Sequence, residues 1–126
     1  MGDSTDPNRF VNELVETLEA EGFTTLRPPL RRSGSILQLP ELVAESASQV
    51  FLFLLATGQN PERIPTQAID ATYAHARRLG GRPRLALRRY GADWVFLQLD
   101  DLPEERGEYR IPDQVIEAYG IPIDEL

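Results

Sequence analysis

Neither cysteine nor lysine occurs anywhere in the 126 residues, and there is one histidine, His75. The first absence removes disulfides, thiolate metal sites and a cysteine nucleophile. The second removes Schiff-base chemistry, a P-loop lysine and any motif that ends in lysine. A lone histidine excludes multi-histidine metal centres. Long apolar runs are missing too: the stretch from Val50 to Ala56 falls far short of the roughly 20 residues that a membrane helix needs. The opening MGDSTDPNRF lacks the basic and apolar regions of a secretory signal. A cytoplasmic location without membrane contact is the expectation, and the lack of cysteine fits a reducing compartment.

What is present is a chain of single-domain length, long enough to bury about 70% of its unfolded surface. All thirteen basic residues are arginines, set against twenty acids, for a net charge of −7 and a pI near 4.7. An acidic, lysine-free composition resembles that of extreme halophiles, whose carboxylate-rich surfaces hold water and repel one another. A GC-rich genome, which favours arginine over lysine, accounts for the same usage. The charge is sorted along the chain. Residues 1–26 hold six acids and Arg9, residues 27–89 hold ten arginines and four acids, and residues 90–126 hold ten acids and two arginines. A basic middle of this kind is an electrostatic footprint for phosphate or for an acidic partner.

Asp6 and Pro7 read as the cap and first position of a helix, and Phe10, Val11, Leu14, Val15 and Leu18 recur at helical spacing to about residue 21. A short strand is expected from Phe23 to Arg27. The segment RPPLRRSGS, residues 27–35, reads as an exposed basic loop, because its prolines remove backbone donors and Gly34 loosens the chain. Ile36 to Ala44 reads as a strand with Pro40 in or beside a bulge. Gln49 to Ala56 reads as a strand too apolar to be exposed on either face. Thr66 to Leu79 has Ile69, Tyr73, Ala76 and Leu79 on one helical face and stops at Gly80 and Gly81. Arg84 to Arg89 and Trp94 to Leu97 read as strands about a YGAD turn, and Asp113 opens a last short helix through Tyr119. This order, with strands before and after a second helix, predicts an α/β domain with a mixed five-stranded sheet flanked by helices.

Several strings in this order, NELVETLEAEGF with its basic loop, LPELVA, HARRLGGRPRLALR and DWVFLQLDDL, with GEYRI more weakly, resemble the archaeal Holliday junction resolvase family. The resemblance covers residues 9–112 of a single domain, 1–126, and leaves 113–126 as an acidic C-terminal extension. It implies a restriction-endonuclease-like fold, a symmetric dimer and a metal-dependent DNA cleavage site. That site uses a glutamate on the first helix, an aspartate early in the second strand and Glu-x-Lys on the third. The carboxylates hold hard divalent ions that activate water and polarise the phosphodiester.

Matched position by position, the helix glutamate falls on Glu13, the aspartate on Glu41, and Glu-x-Lys on Leu55, Ala56 and Thr57. No intact catalytic set remains. Weak Mg²⁺ or Mn²⁺ binding at Glu13 and Glu41 stays open, but no metal site or cofactor is expected. Each acid also has a plainer reading: Glu13 lies about 130° from the centre of its helix's apolar face, as a solvated residue would, and Glu41 passes for a strand-edge acid. His75 reads as a surface or interface residue, and Asp100 and Asp101 as solvated. Arg27, Arg31, Arg32, Ser33 and Ser35 lie where similar resolvases contact the DNA backbone, and Arg and hydroxyl groups suit phosphate. Arg84 and Arg88, on one face of a strand, join them as candidates.

Two functions follow as expectations. One is a catalytically inactive resolvase-like protein that binds branched or duplex DNA as a homodimer. The other is an interaction subunit that pairs with an active resolvase paralog or another repair protein. A third, retained cleavage through a relocated residue such as Gln49 or an arginine, ranks below both.

Overall fold

The computed structural model describes residues 7–27, 41–57, 63–89 and 92–126. Helix α1 spans Pro7–Ala20. Strands β1 (Thr24–Leu26), β2 (Glu41–Glu45) and β3 (Val50–Thr57) follow, then β4 (Arg63–Pro65) and helix α2 (Thr66–Leu79). The chain closes with β5 (Arg82–Arg88), β6 (Val95–Gln98), the short β7 (Glu104–Glu105) and β8 (Glu108–Arg110), and helix α3 (Asp113–Tyr119). Both long helices and the apolar strand thus stand where periodicity predicts them. The strand expected from Ile36 is seen from Glu41 onward. Residues 28–40, which include most of the basic loop, lie outside the described residues, as do Tyr90 and Gly91 of the predicted turn.

One mixed sheet has the order β1-β2-β3-β5-β6. β3 pairs antiparallel with β2 and parallel with β5, and β5 pairs antiparallel with β6. A parallel pair needs a crossover, and β4 with α2 supplies it. β3 is central and covered on both sides, which is why it reads as a continuous apolar run and not as an alternating one. Phe51, Phe53 and Leu55 pack with Leu14 and Leu18 of α1, whereas Leu54 and Ala56 pack with Ile69 of α2. Pro83 is the second residue of β5, in register with Leu52 of β3 but ahead of the residues, 84–87, that β6 pairs, and the start of a strand is where proline is tolerated.

Each long helix ends on a glycine in the left-handed region, Gly22 (φ 95°) and Gly80 (φ 66°). The amides of Phe23 and Gly81 then reach back to Leu18 and Ala76, the arrangement that satisfies terminal carbonyls. On α2 the face differs from expectation. Leu79 is 42% exposed while Thr72 is buried, because the helix rests on the sheet through Ile69, Thr72 and Ala76.

A second sheet, β4-β8-β7, has strands of two or three residues, too short for a periodic signal. Residues 113–126 fold back onto the domain. Val115 and Ile116 join the α2-side core and Ile121, Ile123 and Leu126 the α1-side core. Phe96 and Ile121 exchange backbone hydrogen bonds of 2.9 and 3.0 Å, so this segment occupies the β6 edge. Gly120 permits the approach: a Cβ there would lie 2.5 Å from Val95 Cγ1 and 2.6 Å from the Ile116 carbonyl.

Candidate functional site

On the α1 side, the end of β3 and the end of β5 lie side by side, with Thr57 in register with Arg88. α1 sets Glu13 above them. The Arg88 guanidinium donates from Nη1 to Glu13 Oε2, and Arg9 Nε stands 3.9 Å from the other carboxylate oxygen. Arg88 also donates from Nε to the Ala92 carbonyl at 3.3 Å and lies 5.9 Å over the Trp94 ring, a cation–π distance. The Trp94 indole N–H is buried without a hydrogen-bond partner among the described residues. Leu55, 2% exposed, seals the floor. Glu13 is therefore not the solvated residue its helical position suggests. It is half-buried and committed to Arg88, because the flank of α1, not only its apolar centre, overlies the sheet.

On the α2 side, Glu41 meets two side chains of the crossover helix. Thr72 Oγ1 is 3.0 Å from Glu41 Oε2, and His75 Nδ1 is 3.2 Å from Oε1. The same Thr72 hydroxyl lies 2.9 Å from the Ala68 carbonyl, so its one proton serves one acceptor at a time. His75, read from sequence as a surface or interface residue, is half-buried as a partner of Glu41. The missed signal is that Thr72 and His75, three apart on a helix, fall on one face.

The two acids thus open onto opposite sides of the sheet. Glu41 is the cross-strand partner of Leu54, and partners directly across a ladder share a face. The positions of β3 on Glu41's side are therefore Leu54 and Ala56, while Leu55 and Thr57 face α1 and Glu13. The four positions matched from sequence are not brought together. An ion held by both acids at about 2.0–2.6 Å does not fit this arrangement. The described residues contain no group of three or more His, Asp or Glu placed to hold a metal. Neither face of β3 offers a replacement, since no residue from Val50 to Thr57 is ionisable.

The arginines separate likewise. Arg27 is exposed and hydrogen-bonds Asn12. Arg31, Arg32, Ser33 and Ser35 lie outside the described residues. Arg84 is half-buried, 5.6 Å over the Phe51 ring, with Nη1 donating to the Pro83 carbonyl at 2.8 Å. Burial and then the neighbouring Arg82 hold its guanidinium below the usual arginine range. Arg84 lines an open cavity of about 280 Å³ together with Tyr73, Arg77, Gln98 and Asp100. Tyr73 donates its hydroxyl to Asp100; burial and then this bond push the phenol above its usual range.

A mixed sheet with α1 on one side and a crossover helix on the other defines a restriction-endonuclease-like α/β domain. A family model described as archaeal Holliday junction resolvase (Hjc) matches residues 6–126, and the chain belongs to that family. The match includes residues 113–126. Among solved structures, the chain is similar to Hjc of Archaeoglobus fulgidus, a Holliday junction resolvase from an archaeal hyperthermophile. The TM-score is 0.84 at 19% identity, covering 94% of this chain and 97% of that one. No curated protein sequence matches the chain.

Proposed function

We propose that this protein is a resolvase-like DNA-binding protein that engages branched or duplex DNA without cutting it. The observation that carries the reading is the electrostatic emptiness of β3 together with the internal engagement of Glu13 and Glu41. Metal-assisted phosphodiester hydrolysis needs several oxygen ligands converging on one ion. The carboxylates left in this frame instead lie on opposite sides of the sheet and hold an arginine and a histidine. Backbone contact with DNA falls to Arg27, Arg31, Arg32, Ser33, Ser35 and Arg84, whereas Arg88 is the counter-ion of Glu13. Family membership supports the DNA reading, and a cytoplasmic, homodimeric protein of a recombination or repair system is the matching context. Where the cell holds molar salt, the Debye length of roughly 3 Å leaves only close arginine contacts effective.

The test is a four-way junction and a plain duplex titrated with the protein across salt, with Mg²⁺ or Mn²⁺ present. Retarded but intact DNA is the expected result. Absence of binding to either DNA, with an active resolvase recovered alongside the protein, would favour an interaction subunit instead.

A further inference from the structure

The described arginines fall into two populations. Arg9, Arg63, Arg88, Arg89 and Arg110 each lie within 4.0 Å of a carboxylate. Among the described residues, Arg27, Arg77, Arg78, Arg82, Arg84 and Arg106 form no such pair, and Arg77, Arg78, Arg82 and Arg84 sit together where α2 ends and β5 begins. In a chain with twenty acids, four neighbouring arginines without a paired carboxylate mark a local choice. Arg77 and Arg78 complement the negative end of the α2 dipole. That explanation does not reach Arg82 and Arg84, which lie on a strand and repel each other.

We propose that this corner, where Arg77 and Arg84 line the cavity between β5 and the Leu99–Asp101 turn and the exposed Arg78 and Arg82 stand beside them in the chain, is a contact surface for the phosphate backbone of duplex DNA. The proposal rests on the DNA-binding reading above and adds where that contact is made. Arg84 is held ready by the Phe51 ring and the Pro83 carbonyl, with guanidinium donors to spare beyond the one bonded to Pro83. The acids nearest to it, Asp100 and Asp101, influence it only through space, and Asp100 is already the acceptor of Tyr73. Arg82 and Arg84 are two apart on one face of a strand, about 6.6 Å along it. Arg82 and Arg84 share the α1-side face of the sheet with Phe51 and Phe53, and Arg77 and Arg78 end α2 on the other side, so the four flank one end of the sheet. Several cations spread over such an end fit a polyanion better than a single small anion. Tyr73 is the single aromatic ring among the cavity's lining residues, so the corner lacks the succession of stacking rings that single strands use, which favours duplex over single strand.

The experiment follows binding of the full chain to a fluorescent duplex, and separately to poly-glutamate, across salt concentrations. The wild type is compared with R82Q, R84Q and, as a control away from the corner, R63Q. R82Q and R84Q are each expected to weaken duplex binding severalfold and to reduce the slope of log affinity against log salt by about 0.9. R63Q is expected to leave both unchanged. Arg82 is exposed, so R82Q preserves the fold, as thermal melting verifies, and keeps the test decisive if R84Q is unstable. If the wild type binds duplex while R82Q and R84Q bind it with unchanged affinity and slope, the corner is not the contact surface, although DNA binding stands. A wild type that binds neither duplex nor junction overturns both readings. Tighter binding to poly-glutamate than to duplex overturns the DNA assignment in favour of an acidic protein partner.

Discussion

Arg84 and Arg88 are four residues apart on one strand and face the same way, about 13 Å from one another, yet their situations are opposite. Arg88 is clamped between the Glu13 carboxylate and the Trp94 ring. Arg84 lies over an aromatic ring as well, but it has no carboxylate partner among the described residues and a neighbouring arginine beside it. The difference lies in what overlies each end of β5. α1 brings an acid to the end near Thr57, while at the start of the strand β6 gives way to a turn and leaves a cavity. One end of the strand consumes its positive charge internally. The other leaves it available.

The largest expected effect comes from challenging the closed end. Leu55→Glu places a carboxylate among Phe53, Leu14 and Trp94 in the α1-side core, and an uncompensated buried charge costs about 3–5 kcal/mol. A urea melt should show the midpoint falling with an unchanged slope. A loss below about 1 kcal/mol would mean that the site is open enough to accept a ligand carboxylate, and the contrast between the two ends would dissolve.

A smaller effect is expected from the clamp itself. Glu13 and Arg88 are each about 30% exposed, so their pair belongs near the upper part of the surface range, about 1 kcal/mol. A double-mutant cycle of Glu13→Gln and Arg88→Gln, read in denaturant, should return that coupling. Additive single losses would show that the pair contributes nothing to the fold. The smallest effect is predicted for Arg84→Gln: a stability change within about 0.5 kcal/mol, tending toward stabilisation because repulsion from Arg82 is relieved. Raising the salt should shrink that gain, since screening weakens the repulsion. A marked loss of stability would instead assign Arg84 a structural role.

The sequence makes some of this contrast legible and hides the rest for definable reasons. α2 is readable from residue 66 to 79 because its apolar spacing and terminal glycines agree. β3 is readable because a strand buried on both faces has no polar interruption. The facing of Glu41 is not readable from its neighbours in sequence, because strand parity reverses with every single-residue shift and only the pairing with Leu54 fixes it. Helical periodicity places Glu13 off the apolar centre of α1 correctly, but says nothing about an arginine 75 residues away that meets it. The β4-β8-β7 sheet escapes notice because strands of two or three residues are too short to establish an alternating pattern. The acidity of residues 113–126 suggests an appendage, while their isoleucines anchor the segment in both cores.

We propose that this resolvase-like frame binds DNA without cleaving it. The most direct test is a single-turnover reaction with protein in excess over an end-labelled four-way junction, in Mg²⁺ and in Mn²⁺. The account predicts that the junction strands stay full length while the junction is bound. Metal-dependent incision near the branch point that disappears in Glu13→Gln would contradict it.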